Sequence, residues 1–390
     1  MRIALLHAYD KQDKRSWSGT VYYTAQSLEK HCGEVFHIGP ISCFKETLVG
    51  KVINKGSQAL LKKNFRYHYS FLMAHRYAKV AASRLAGQSL DVIVAPAGDT
   101  EIAFLQADLP IVLVGDSTYR LLFDYYPRDS NLLERSRYEM DVIQTLALNK
   151  ASAAIYSSTW AARSAIEDYG TDPAKVHVVP FGPNLDDPPT PEVALARQPS
   201  PRCRLLFLAV EWARKGGDIA FETLLKLEEL GIEAELIVCG CTPPNGVAHQ
   251  RMKAIPFLKK NDEGQRRQLE QLLLESSFLL VPTRADCTPM VFCEANAFGL
   301  PVISTSTGGV PEVIRDGENG FLLPHEARGA AYAEVIARLH HDSGRYARLV
   351  RSSRAAFDDR LNWDAWGVTV KHILADLSGR RRPIEIASSI

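Results

Sequence analysis

SFLLVPTRADCTPMVFCEANAFGLPVIST, residues 277–305, decides the fold. Two short apolar runs, FLLV and PVIST, flank a segment of helical length. Strand-length apolar runs with a helix between them form a βαβ unit, whose parallel strands are buried on both faces. Thr288 is the expected N-cap and Pro289 the expected first helical residue; Gly299 closes the helix and Pro301 opens the next strand. Asp286 then lies on the loop leaving the first strand, and Glu294 near the middle of the helix. A carboxylate between two buried strands is expected to be paired or to meet a ligand, because desolvating an unpaired charge is costly.

The same alternation extends outward. CRLLFLAV (203–210), EAELIVCG (233–240) and GFLLP (320–324) read as strands, with helices at DIAFETLLKLEELG (218–231), QRRQLEQLLLES (265–276) and PEVIRDG (311–317). The first half repeats the pattern. RIALLHA (2–8), GEVFHIG (33–39), DVIVAPA (91–97), PIVLVGD (110–116), NKASAAIYSS (149–158) and KVHVVPFG (175–182) are strands, and STWAARSAIEDYG (158–170) a helix. Between the halves, GPNLDDPPTPEVALARQPSPR (182–202) carries five prolines from Asp187 to Pro201, the composition of a linker. The expected organisation is a first Rossmann-like domain over 1–185, a linker over 186–202 and a second Rossmann-like domain over 203–360. A terminal helix over 361–378 is expected to cross back to the first domain, and 379–390 to be a frayed tail. In the helix, Trp363, Trp366, Val370, Ile373 and Leu377 recur at helical spacing. Two doubly wound α/β domains facing a central cleft place ligands at the carboxyl ends of their strands.

Composition narrows the function classes. The chain has 390 residues, 46% hydrophobic and 23% charged, with a net charge of +1, which gives no bulk attraction to nucleic acid. Its seven cysteines are odd in number and form no CxxC pair; Cys239-Gly-Cys241 lacks histidines at zinc-site spacing, so neither metal nor disulfide is expected. The amino-terminal apolar run is too short for a signal peptide, and no run reaches about 18 apolar residues, so a cytoplasmic location is expected. Residues 41–90 hold nine Lys/Arg and one acid, Glu46, interleaved with Phe65, Tyr67, Tyr69, Phe71 and Tyr77. Such a basic helical stretch fits either a solvated face or contact with an anionic membrane surface or lipid-linked acceptor.

Three loops at strand ends carry unusual company. In SWSGTVYYTAQ (16–26), Gly19 opens a helix whose free N–H groups suit an anion, though a glycine there also serves a plain turn. In VEWARKGGDIAFE (210–222), Arg214 and Lys215 precede Gly216-Gly217; they either neutralise a diphosphate or are solvated loop charges. In the opening stretch, Asp286 and Glu294 either serve a ligand or cap a turn and satisfy a backbone amide.

RADCTPMVFCEANAFGLPVISTSTGGVPEVIRDGENGFLLP (284–324) resembles the donor-site signature of retaining GT-B-fold glycosyltransferases, especially glycosyltransferase family 4. Asp286 and Glu294 have the family's eight-residue spacing, and Gly299-Leu300-Pro301-Val302-Ile303, Gly308-Gly309 and Glu312 follow in its order. FLAVEWARKGGDIAFE, SSTWAARSAIEDYGTDPAKVHVVPFGPN and SGTVYYTAQSLE are similar to the family's phosphate loop, first-domain end and glycine loop. The resemblance covers nearly the whole chain and is weakest over 41–90.

The resemblance implies a nucleotide-sugar donor. Glu294 would accept hydrogen bonds from its ribose hydroxyls, and Asp286 would contact the transferred sugar. The backbone of Cys287, Thr288, Pro289, Met290 and Val291 would meet sugar and diphosphate. Arg214 and Lys215 would stabilise the leaving diphosphate, while Gly19 and Thr20 close over it. Three departures bear on sugar identity: Asp286 stands for a glutamate, Cys287 for a glycine, and Arg214 and Lys215 are adjacent rather than spaced. Where relatives have a histidine near the acceptor, this chain has Gly115, Asp116, Ser117 and Thr118; Asp116 either orients the acceptor hydroxyl or caps the next helix. The implied reaction is metal-independent, front-face retaining transfer to a glycan, lipid-linked or small-molecule acceptor, with no cofactor. The setting implied is surface polysaccharide or glycoconjugate synthesis. Rival readings are a non-catalytic nucleotide-sugar-binding subunit and a nucleotide-sugar epimerase. An NAD-dependent oxidoreductase is disfavoured because no GxGxxG follows the first strand.

Overall fold

A computed structural model describes residues 1–8, 16–197 and 202–379. The tail expected at 379–390 lies outside them beyond Gly379, as do four residues of the proline-rich stretch. The chain divides into two units: residues 1–179 together with the chain from Trp363 onward, and Pro180–Asn362.

The first unit holds β1 (Arg2–Leu5), β2 (Glu34–His37), β3 (Val92–Pro96), β4 (Ile111–Gly115), β5 (Ala153–Tyr156) and β6 (Val176–Val178). They form one parallel sheet in the order β2-β1-β3-β4-β5-β6. Its central strands β3, β4 and β5 are buried along their whole length, the mark of a sheet covered by helices on both faces. The terminal helix Trp363–Gly379 belongs to this unit and packs on Thr20–His31. Ser27 Oγ donates to the Trp363 carbonyl at 2.6 Å, His31 Nε2 meets Asp364 at 2.7 Å, and Trp366 is fully buried.

The second unit holds β7 (Cys203–Leu208), β8 (Ala234–Cys239), β9 (Met252–Ile255), β10 (Phe278–Val281), β11 (Val302–Thr305) and β12 (Gly320–Leu323). The sheet is parallel in the order β12-β11-β10-β7-β8-β9. The opening stretch is β10, a loop, the helix Met290–Ala297 and β11, with Leu279 opposite Val302. Phe278, Leu279, Leu280, Phe292, Val302 and Ile303 are at most 1% exposed; at roughly 1.5–3 kcal/mol per buried large side chain they anchor the unit. Two doubly wound α/β units are the fold class the sequence predicts.

Some details differ. The helix in the opening stretch begins at Met290, with Pro289 at the cap position and no side-chain capping bond, so Thr288 does not serve as N-cap. Gly299 does close it: its φ is 60°, and Leu300 N–H donates to the Ala295 carbonyl. The proline-rich stretch contains a helical turn, Pro191–Leu195, with Ala194 buried. Among the described residues, no helix is long and apolar enough to cross a membrane.

Candidate functional site

In an open parallel sheet, a crevice forms where the strand order reverses, outside the carboxyl ends of the strands. In the second unit the order reverses between β7 and β10. The loops leaving those two strands carry Arg214-Lys215 and Asp286.

The two loops are bound to each other. Lys215 Nζ forms an ion pair with the Asp286 carboxylate, and the side chains are 12% and 9% exposed. Arg214 donates to the Ala285 carbonyl at 2.8 Å and to Glu211 at 2.7 and 3.0 Å. The Arg284 amide donates to the Arg214 carbonyl at 2.8 Å, and Arg284 forks onto Asp218 at 2.8–2.9 Å. Arg214 and Lys215 are therefore not solvated loop charges; both are held against the loop after β10. Gly216 makes this approach possible. Its φ is 77°, and a Cβ there would lie 2.0 Å from the Pro282 carbonyl oxygen. A third loop closes the corner, since the Gly309 amide donates to the Asp286 carbonyl at 3.1 Å.

Glu294 sits one helical turn further on and is 1% exposed. One carboxylate oxygen pairs with Lys260, from the loop after β9; Lys260 also donates to the Asn184 carbonyl at 3.2 Å. The other oxygen, Oε2, is buried and has no hydrogen-bond partner among the described residues. No backbone amide among the described residues donates to this carboxylate, so it is not satisfied in that way. A buried acceptor with a vacant lone pair favours a donor hydroxyl arriving with a ligand. Cys287 is buried, and Cys287 to Val291 form the turn and first helical residues between the two carboxylates.

Gly19, Thr20 and Asp116 belong to the first unit, where the strand order reverses between β1 and β3. Gly19 has φ 87° and caps the helix Thr20–His31, and Thr20 is 2% exposed. Trp17, in the turn before it, donates its indole N–H to Asp116 Oδ2 at 3.1 Å. Asp116 thus ties β4 to the glycine loop and does not cap the following helix, whose cap position is Thr118. Burial holds the Asp116 carboxyl above its ordinary range.

The sequence reading missed Lys260, Trp17 and the buried pair Asp99 and Glu101 after β3. Lys260 follows a strand that was itself not predicted. Its one available signal was a lysine pair at a strand end. Lys260→Met would leave Glu294 as an unpaired buried charge. The expected loss in the second unit is roughly 2 kcal/mol, below the usual buried-pair figure because the Lys260 side chain is 34% exposed. Adding Glu294→Gln should restore most of it in urea unfolding; equal stability of the single and double variants would refute the pairing role.

Residues 202–342 match the family model of glycosyl transferases group 1. A D-inositol 3-phosphate glycosyltransferase from Xylanimonas cellulosilytica is 31% identical over 253 residues, 59% of this chain and 58% of that protein. The chain thus spans under two thirds of the length of the curated relatives it matches. Among solved structures, sucrose-phosphate synthase from Thermosynechococcus elongatus superposes with a TM-score of 0.68 at 15% identity, over 97% of this chain and all of that one. HepE from Anabaena in complex with UDP gives 0.63 at 17% identity, over 96% and 100%. Those likenesses concern the fold, which is the GT-B class the sequence predicts. Within it, the second unit carries the match to glycosyl transferases group 1.

Proposed function

We propose that the protein is a retaining glycosyltransferase that takes a sugar from a nucleotide-sugar donor. The observation that carries this is the pairing, at the strand-order reversal of the second unit, of a fixed cation cluster with a buried acidic residue holding one unmatched acceptor oxygen. Lys215 and Arg214 supply positive charge where a diphosphate leaves. Glu294 Oε2 receives a ribose hydroxyl. Asp286, held by Lys215, orients the sugar, and the turn from Cys287 to Val291 follows the diphosphate. HepE is solved with UDP and with UDP-glucose, which makes a uridine diphosphate sugar the first donor to try. The leaving phosphate oxygens take the acceptor proton, and two protein cations make a metal ion unnecessary. In the first unit, Asp116 receives the acceptor hydroxyl. The test is nucleotide release from UDP-glucose and related donors, with and without acceptor, in excess chelator. Turnover is expected; activity that chelator abolishes and Mg²⁺ or Mn²⁺ restores would rule out the metal-free mechanism.

A second element of this reading concerns the acceptor's location. The 18-residue helix Phe44–Leu61 buries only Gly50 and Ser57. Phe44 and Leu60 are 78% and 84% exposed, and Leu48, Val49, Val52 and Leu61 are also exposed, among Lys45, Lys51, Lys55 and Lys62. An apolar face set among lysines suits an anionic bilayer surface and a lipid-linked acceptor. Co-sedimentation with vesicles containing phosphatidylglycerol at low salt is expected, with loss on Phe44→Ser/Leu48→Ser/Val52→Ser. Equal sedimentation with neutral vesicles, or none with either, would remove the membrane from the proposal.

A further inference from the structure

A cavity of about 510 Å³ lies wholly within the second unit and away from Lys215, Asp286 and Glu294. Small-ligand sites commonly fall in the range of roughly 300–1,000 Å³. The parallel sheet fixes its place. Lys215 and Asp286 follow the carboxyl ends of β7 and β10, whereas Arg315–Asn319 lead into the amino end of β12. The two sites therefore lie at opposite edges of one sheet.

Four guanidinium groups line the cavity, from Arg315, Arg345, Arg348 and Arg360, against two carboxylates, Glu318 and Asp359. Arg315 meets Glu318 at 3.6 Å. Arg360 is fixed by main-chain carbonyls, donating to Glu312 at 2.7 Å and Val313 at 3.0 Å, and among the described residues no carboxylate forms an ion pair with it. Burial, and then the neighbouring Arg315 charge, disfavour its protonated form. Arg345 and Arg348 lie three residues apart on the helix Ser343–Asp359, and among the described residues neither has an ion pair. Like charges at that spacing repel, and no ion pair among the described residues offsets them. Beside Asn319 and Ser352, the wall has an apolar part: Phe321, with Arg345 5.4 Å above its ring, then Leu339, Leu349 and Ala356.

We propose that this cavity binds a small phosphate ester, its phosphate held by Arg345, Arg348 and Arg360 and its apolar or ring portion on the Phe321–Leu349 wall. An arriving phosphate relieves the repulsion among the arginines, and guanidinium groups suit its oxygens in paired hydrogen bonds. The inference does not rest on the transferase reading. AMP and inorganic phosphate serve as probes, titrated calorimetrically into a Lys215→Ala/Glu294→Ala background so that binding at the other edge of the sheet does not contribute. AMP is expected to bind at least tenfold more tightly than phosphate, and more weakly as salt rises. Adding Arg345→Glu/Arg348→Glu should abolish it, and Arg345→Gln/Arg348→Gln should weaken it by about tenfold or more, with circular dichroism unchanged. Both arginines are exposed, so the fold tolerates either change. No AMP binding in the Lys215→Ala/Glu294→Ala background would overturn the site. So would binding indifferent to the arginine changes, or equal affinity for AMP and phosphate.

Discussion

Lys215→Ala is expected to reduce sugar transfer by about 10²–10³-fold in kcat while leaving a folded protein, the usual cost of removing one fixed group that stabilises developing charge. Lys215 carries this because its charge is localised, mostly buried and aimed into the corner where three loops meet. If it acts on the leaving diphosphate, charge it sees grows in the transition state. kcat and kcat/KM should then fall together, with the donor KM little changed. The variant also leaves Asp286 without its partner, so a stability loss of about 3 kcal/mol is expected, and assays belong well below the unfolding midpoint. Glu294→Ala separates the two roles. Losing ribose hydrogen bonds made equally in ground and transition states should raise the donor KM by roughly 10–100-fold with a smaller change in kcat. Wild-type turnover in Lys215→Ala, confirmed folded by circular dichroism, would defeat the proposed function. A pure KM effect would move Lys215 from leaving-group stabilisation to binding.

Both α/β units were legible because parallel sheets covered on both faces need uninterrupted apolar runs, and β3, β4, β7, β8, β10 and β11 have them. β9 was not, because it lies at the sheet's end and its Lys253 and Ala254 are exposed, so MKAI offers no apolar run. The helix Glu134–Lys150 was missed for a similar reason: its sequence ERSRYEMDVIQTLALNK is dominated by polar residues at its start, though it buries Ser136, Glu139, Met140, Ile143 and Gln144. In the site, local spacing revealed Asp286 and Glu294. Their counter-ions are another matter. Lys215 is 71 residues from Asp286 and Lys260 is 34 from Glu294, and only the strand order makes them neighbours. The sequence reading took Arg214 and Lys215 as equivalent cations. The structure distinguishes them, since Arg214 spends its donors on Glu211 and a main-chain carbonyl, whereas Lys215 faces the Asp286 carboxylate. For Phe44–Leu61 the sequence shows a basic, partly amphipathic helical stretch but not which of its faces the protein covers. Only burial shows that Gly50 and Ser57, and not its large side chains, face the protein.

Glu101→Gln should stabilise the protein, and the gain should depend steeply on pH. Glu101 follows β3 in the short helix Asp99–Ile102, is 5% exposed and has no cation paired with it among the described residues. Burial first, and the Asp99 carboxylate after it, push its carboxyl from an ordinary 4.5 up to about 8, against hydrogen bonds from its own amide and from Ala8. Asp99, which accepts a hydrogen bond from Gln144, is raised to about 6. The sign follows from proton counting. Between about pH 4.5 and 8 the folded protein keeps a proton on Glu101 that the unfolded chain has released. Stability therefore falls by about 1.4 kcal/mol for each pH unit across that window and is flat in this respect outside it. Glutamine keeps the shape and an acceptor oxygen but has no charge to desolvate. Relative to the parent protein, Glu101→Gln should gain under about 1 kcal/mol at pH 5, on the order of 3 kcal/mol at pH 7 and about 5 kcal/mol at pH 8.5. For a unit of this size that is a midpoint shift of roughly 10 °C near neutral pH, in the transition belonging to the first unit. Thermal unfolding of both proteins at pH 5, 7 and 8.5 measures it. A gain that is the same at all three, or that shrinks as pH rises, would mean Glu101 is ionised and compensated in the folded state, and the carboxyl pair at the end of β3 would need a counter-charge not seen here.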